Sequence, residues 1–241
     1  MKILVLGSCC SIHFPRPGCK CSSCTDPIFQ KRKHSSILIK DIMVDCGKDW
    51  MKVPSVVKKI IFTHSHPDHS WGVKWNLDKE LFMSKITKNI LVRNKSIPSD
   101  KEVNILDFGK SIVISGIKVT SYPVLHSTIA PANCVKFDNL LYCPDVREIL
   151  NKSKVFGGVS IYIGDGSSFT RPIMYRVGIG HESMVGQLDW CKRAGVKKVY
   201  FTHIGHVRLS HLELNRKLKE LNEKFNFKEV KALKEGDIIT K

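Results

Sequence analysis

Short apolar or alternating runs recur along the chain, at residues 3–6, 36–39, 42–44, 59–62, 111–115, 118–122, 135–137, 159–163 and 198–201. Most are bounded by Gly, Pro, Asp or Asn, so they predict β-strands ended by turns. Helical periodicity comes late. Residues 183–193 set Met184, Leu188 and Cys191 at helix spacing and stop at Ala194-Gly195, where glycine suits a C-terminal cap. Residues 210–225 spread Leu212, Leu214, Leu218 and Leu221 among charges, the pattern of an amphipathic surface helix. Strands interspersed with helices, without an internal repeat or a break in composition, predict an α/β fold. Residues 1–241 are expected to form a single domain.

Composition narrows the classes. At 42% hydrophobic residues the chain can bury a large core, and disorder is not expected. It contains no run of about 18 apolar residues, so no membrane span is expected. The opening Met1-Lys2-Ile3-Leu4-Val5-Leu6-Gly7 reads as a first strand rather than a secretory signal, and a cytoplasmic location follows as the expectation. Thiols stay reduced there or sit on metal. Of the nine cysteines, Cys19, Cys21 and Cys24 crowd together, while Cys9, Cys10, Cys46, Cys134, Cys143 and Cys191 are expected as small buried hydrophobes. The 39 Lys+Arg against 22 Asp+Glu leave a net charge of +17, which favours an anionic partner: a phosphorylated small molecule, a nucleic acid or an acidic surface. Basic residues are scattered, with only Lys31-Arg32-Lys33 in a tight run, so charge alone does not choose among these.

Chemistry concentrates in Thr63-His64-Ser65-His66-Pro67-Asp68-His69, directly after the apolar run 59–62. Two histidines at alternate positions of an extended chain point to one side, and Asp68 and His69 on the following turn can face the same pocket. Three imidazoles and a carboxylate in six residues suit zinc, manganese or iron.

His64-Ser65-His66-Pro67-Asp68-His69 resembles the HxHxDH signature of metallo-β-lactamase-fold hydrolases, which implies an αββα four-layer sandwich with two metals at its edge. The resemblance runs on: Asp45-Cys46-Gly47 is similar to the family's strand-terminal DxG, whose Asp supports the metal site from behind. His126, Asp145 and His203 resemble the later ligands. The implied scheme gives one metal His64, His66 and His126, the other Asp68, His69 and His203, and shares Asp145 between them. Asp165 competes with Asp145 for the bridging role, since it also ends an apolar run; the resemblance favours Asp145. Taken singly, His126 reads as an ordinary polar residue at a strand end, and Asp145 as the N-cap of a helix over 146–151. Two metals can lower the pKa of a shared hydroxide and clamp a phosphoryl centre. Asp68 is a candidate to orient that hydroxide, and His181, in Gly180-His181-Glu182-Ser183, to protonate the leaving alkoxide with Asp165 orienting it. His181 reads equally well as a plain helix-start residue.

Cys19-Lys20-Cys21-Ser22-Ser23-Cys24 supplies three thiolates, enough to wrap a tetrahedral zinc if a fourth ligand arrives. Thr202-His203-Ile204-Gly205-His206 offers His206. Both halves resemble the PhnP-type cyclic-phosphate phosphodiesterases, which implies a structural zinc on Cys19, Cys21, Cys24 and His206 and a small phosphorylated substrate. The chief alternative is a tRNase Z-like endoribonuclease, to which Gly180-His181-Glu182-Ser183 and Thr202-His203-Ile204 are also similar. The other is a non-catalytic, zinc-stabilised binding protein. Residues 84–107 and 127–133 are candidates for substrate contact, and a homodimer is left open.

Overall fold

Alternation along the strands decides the layering. The computed structural model describes residues 1–175 and 180–240. In Ile42–Val44, Ile42 and Val44 turn to one side and Met43 to the other; in Leu140–Tyr142, Leu140 and Tyr142 part from Leu141 in the same way. The strands form two seven-stranded sheets. The first runs Ile238–Thr240, Lys2–Gly7, Ser36–Ile39, Ile42–Val44, Lys59–Ile61, Glu80–Met83, Asn104–Ile105. The second runs Glu229–Ala232, Lys198–Thr202, Ile161–Asp165, Leu140–Tyr142, Ala132–Phe137, Ile117–Val124, Ser111–Ile114.

Between the sheets lies one apolar layer, with Ile42, Val44 and Ile61 facing Tyr142, Ile161 and Ile163. Outside the first sheet, Met43, Ile60, Leu81 and Met83 pack with Leu91 of the helix Lys85–Arg93. Outside the second, Tyr162, Val199 and Phe201 pack with Leu188 of the helix Met184–Arg193 and with Leu214 and Leu218 of His211–Phe225. Helix, sheet, sheet, helix is the αββα sandwich of the metallo-β-lactamase fold. All six cysteines outside the cluster of three are buried, as expected.

The two late helices start where the pattern placed them. The Ser183 hydroxyl accepts from Gly186 N–H, and Ser210 forms a reciprocal capping box with Glu213, a device worth about 1 kcal/mol. Leu212 corrects the expected stripe: it is 79% exposed, because two residues along a helix turn it roughly 200° away from Leu214. No helix covers 146–151. The backbone there turns back instead, Leu125 exchanging hydrogen bonds with Glu148. Residues 84–107 are largely scaffold, since Ser84 caps Lys85–Arg93 and that helix packs on the first sheet. Residues 132 and 133 already belong to the strand Ala132–Phe137. Among the described residues no helix is long and apolar enough to cross a membrane.

Parallel pairing then builds an edge. Ile42–Val44, Lys59–Ile61 and Glu80–Met83 run parallel in one sheet, and Leu140–Tyr142, Ile161–Asp165 and Lys198–Thr202 in the other. Asp45, His64, Asp145, Asp165 and His203 all stand at or just past the C-terminal ends of these strands.

Candidate metal centre

The strand Lys59–Ile61 stops before the histidines, earlier than the alternation argument requires. The Thr63 N–H and hydroxyl donate to the Asp45 carboxylate, at 2.8 and 2.9 Å, and so leave the sheet ladder. Asp45 reaches them from a left-handed conformation, φ 61°. His64 and His66 converge all the same: His64 Nε2 lies 3.0 Å from His66 Nδ1, and His126 Nε2 lies 3.3 Å from that same atom. Nitrogens held about 2.0–2.1 Å from one tetrahedral ion stand at such separations.

Asp68 and His69 sit in a short helix, Pro67–Ser70, rather than a simple turn. With Asp145 and His203 they make a second buried group whose donor atoms all lie within 4.8 Å of one another. His69 Nε2 is 3.3 Å from Asp68 Oδ2 and 2.6 Å from Asp145 Oδ2, and His203 Nε2 is 3.2 Å from Asp68 Oδ2. Asp145 Oδ2 also lies 3.6 Å from His64 Nε2, so this carboxylate stands between the two groups. Asp165 does not. Its oxygens accept from Val146 N–H and Ser167 N–H and meet His181 Nδ1 at 2.7 Å.

On four of the five imidazoles the nitrogen facing away from the pocket is held. His64 Nδ1 donates to Thr63 Oγ at 3.0 Å, His69 Nδ1 to Asp45 at 2.8 Å, His126 Nδ1 to the Gly180 carbonyl at 3.0 Å, and His203 Nδ1 to Ser167 Oγ at 2.9 Å. Such bonds fix each tautomer so that Nε2 carries a lone pair into the pocket. His69 Nε2 and Asp145 Oδ1 are buried and make no well-aligned hydrogen bond among the described residues, although His69 Nε2 stands close to Asp145 Oδ2 and Asp145 Oδ1 lies 3.2 Å from Nδ1 of both His181 and His203. Unpartnered donor atoms of this kind fit a metal cluster and are costly otherwise. Burial and the neighbouring rings hold His64 well below the usual imidazole range, and His66 is lowered to about 4 chiefly by burial, so both present neutral nitrogens. Burial works against ionised Asp145, yet His203, His126 and His69 keep it well below the usual carboxylate range.

His181 lies beside this pocket. Its ring is 4.8 Å from that of His126 and nearly parallel to that of His203 at 5.6 Å, with Tyr175 edge-on at 5.9 Å. Burial opposes its protonation, but Asp165 and Asp145 raise it to about 11.

Three residues past His203 the same loop turns the other way. His206 Nε2 meets the sulfurs of Cys19, Cys21 and Cys24 at 3.4, 3.1 and 3.5 Å, the spacing of four ligands around one ion. Every candidate ligand or catalytic residue from the sequence therefore falls in one of two clusters or directly beside one. Sequence reasoning missed the backing partners Thr63, Ser167 and the Gly180 carbonyl. It also missed His13, His34 and Asp49, which meet at the same rim from three separate loops with no spacing signal to join them.

Residues 40–204 match the family described as the beta-lactamase superfamily domain. No curated protein matches the sequence. Among solved structures the chain is similar to a diphosphatase of the PhnP family, at 21% identity and TM-score 0.74, covering 100% of this chain and 97% of that one. It is also similar to Zn²⁺-bound PqqB from Methylobacterium extorquens, at 15% identity and TM-score 0.78 with both chains fully covered. Human tRNase Z, short form, aligns at 14% identity and TM-score 0.61, over 100% and 99% of the two chains.

Proposed function

Since the chain belongs to the beta-lactamase superfamily and carries its metal-dependent hydrolase fold, we propose that it hydrolyses a small phosphodiester, with cyclic phosphodiesters the foremost candidates. The observation that carries this reading is the position of Asp145 between two donor groups, His64, His66 and His126 on one side and Asp68, His69 and His203 on the other. These residues would hold two divalent cations, of zinc, manganese or iron, whose chemistry when bound is Lewis acidity toward a phosphoryl oxygen and a nucleophilic water at neutral pH.

The chain's own residues supply the rest. Asp68 accepts from the water that attacks and orients it. His181, with Nδ1 on Asp165, presents Nε2 to the leaving oxygen and gives it a proton. Asp165 positions that ring and stabilises its charged form. Cys19, Cys21, Cys24 and His206 would hold a structural zinc with no open position. The core between the sheets draws on Ile3 and Ile239 together, which supports residues 1–241 as one catalytic domain. A net charge of +17 supports an anionic substrate, and a diphosphatase of the PhnP family is among the similar structures.

Endonucleolytic cleavage of RNA is the second reading, favoured by that same charge. Both are tested by offering bis(p-nitrophenyl) phosphate, 2′,3′-cyclic nucleotides and a structured RNA with Mn²⁺ or Zn²⁺, using His66→Ala as the blank. The proposal expects turnover of the small diesters, intact RNA, and loss of activity by a factor of at least about 10³ in the blank. Cut RNA with untouched small diesters would replace it by the second reading.

A further inference from the structure

Beside the central pocket, three side chains converge that take no part in the hydrolysis proposed above. His13 lies on the loop after the strand Lys2–Gly7, His34 just before Ser36–Ile39, and Asp49 on the loop after Ile42–Val44. One nitrogen from each imidazole and one oxygen of Asp49 all lie within 4.8 Å of one another. Asp49 Oδ2 is the meeting point: His13 Nε2 stands 3.3 Å from it, His34 Nδ1 is in direct contact with it, and the His34 backbone N–H donates to it at 2.8 Å. The two rings meet edge to face with centroids 4.2 Å apart.

His34 is 1% exposed, and its Nε2 has no hydrogen-bond partner among the described residues. A buried imidazole nitrogen left without a partner is costly unless a ligand takes it up. The His13 and Asp49 side chains are 31% and 22% exposed, so the cluster is open to solvent on one side only.

Two imidazoles and a carboxylate form a donor set for a divalent cation of borderline softness, with positions left for water. We infer that His13, His34 and Asp49 form a further mononuclear divalent-cation site of the zinc class, separate from the central pocket and from the cysteine cluster. Its backbone is tied to the pocket at Gly47. A Cβ there would fall 2.1 Å from the Asp68 carbonyl oxygen and 3.1 Å from His34 Cβ, so the chain leading to Asp49 passes between the two sites. A cation held here adds positive charge one residue layer from Asp68.

The test counts metal by difference. Wild-type protein, His13→Gln and Asp49→Asn, each purified with its own metals, are dialysed against the same low-micromolar Zn²⁺, and bound zinc is measured by mass spectrometry. Neither residue belongs to the other two clusters, so the difference reports this site alone, however many ions those hold. Each variant is expected to bind one equivalent fewer than wild type, to melt normally, and to rebind that zinc at least about tenfold more weakly. The substitutions sit on different loops, so a variant that folds poorly leaves the other to give the count. Equal zinc in wild type and a normally melting variant overturns the inference and leaves a hydrogen-bonded triad.

Discussion

Asp165 accepts from His181 Nδ1 at 2.7 Å while its other oxygen accepts from Ser167 N–H, so the carboxylate is fixed before it fixes the ring. A ring held this way with its charge stabilised can donate from Nε2, and that role depends on the leaving group. An alkoxide needs the proton; a nitrophenolate leaves without it. His181→Gln is therefore expected to lower kcat for a cyclic nucleotide by about 10²–10⁴ but to change turnover of bis(p-nitrophenyl) phosphate by less than about tenfold. Equal losses on both substrates would assign His181 to structure instead. At this scale the HxHxDH residues were legible because their ligands lie within one short segment. His126, Asp145 and His203 were legible only through resemblance, since a single His or Asp at a strand end carries no spacing. His13, His34 and Asp49 were not legible at all: they meet only because two strands end and an antiparallel one begins at one edge.

The loop after Lys198–Thr202 joins the two clusters. His203 adopts a left-handed backbone, φ 52°, and aims into the central pocket, while His206 aims at the three sulfurs. Gly205 lets the loop lie against its neighbour, for a Cβ there would stand 2.4 Å from the Ser167 carbonyl oxygen and 2.8 Å from its Cα. Gly205→Ala must displace backbone that also backs His203, and is expected to cost about 1–3 kcal/mol and to weaken both clusters, as read by melting and metal content. Cys21→Ser breaks one cluster only. It should release a single zinc and lower the melting temperature by roughly 5 °C or more, because metal binding there is folding energy. A variant that keeps its zinc and melts normally would remove the structural site. Among elements, alternating strands and capped helices were legible. The strand Glu80–Met83 was not, since it is a parallel strand whose apolar stretch is short and follows charged residues. Glu229–Ala232 and Ile238–Thr240 are edge strands with charged or exposed faces and show no core pattern.

For the whole molecule, two sheets with helices outside leave one edge where all the functional strand ends meet, and no single segment of sequence encodes that edge. The net charge of +17 acts over the same range. If it guides an anionic diester to the pocket, raising salt from about 0.05 to about 0.5 M should lower kcat/KM several-fold and leave kcat unchanged, since screening weakens encounter rather than chemistry. A kcat/KM indifferent to salt would detach the charge from substrate capture. The central claim is that hydrolysis needs two cations shared through Asp145. It is tested most directly by adding Mn²⁺ stepwise to the His13→Gln variant, stripped with a mild chelator that leaves the cysteine-bound zinc, while following hydrolysis of a 2′,3′-cyclic nucleotide. No turnover is expected in the stripped protein, and full turnover only as the second equivalent binds; full turnover without added metal, or none with both equivalents bound, would show that hydrolysis does not depend on the pair.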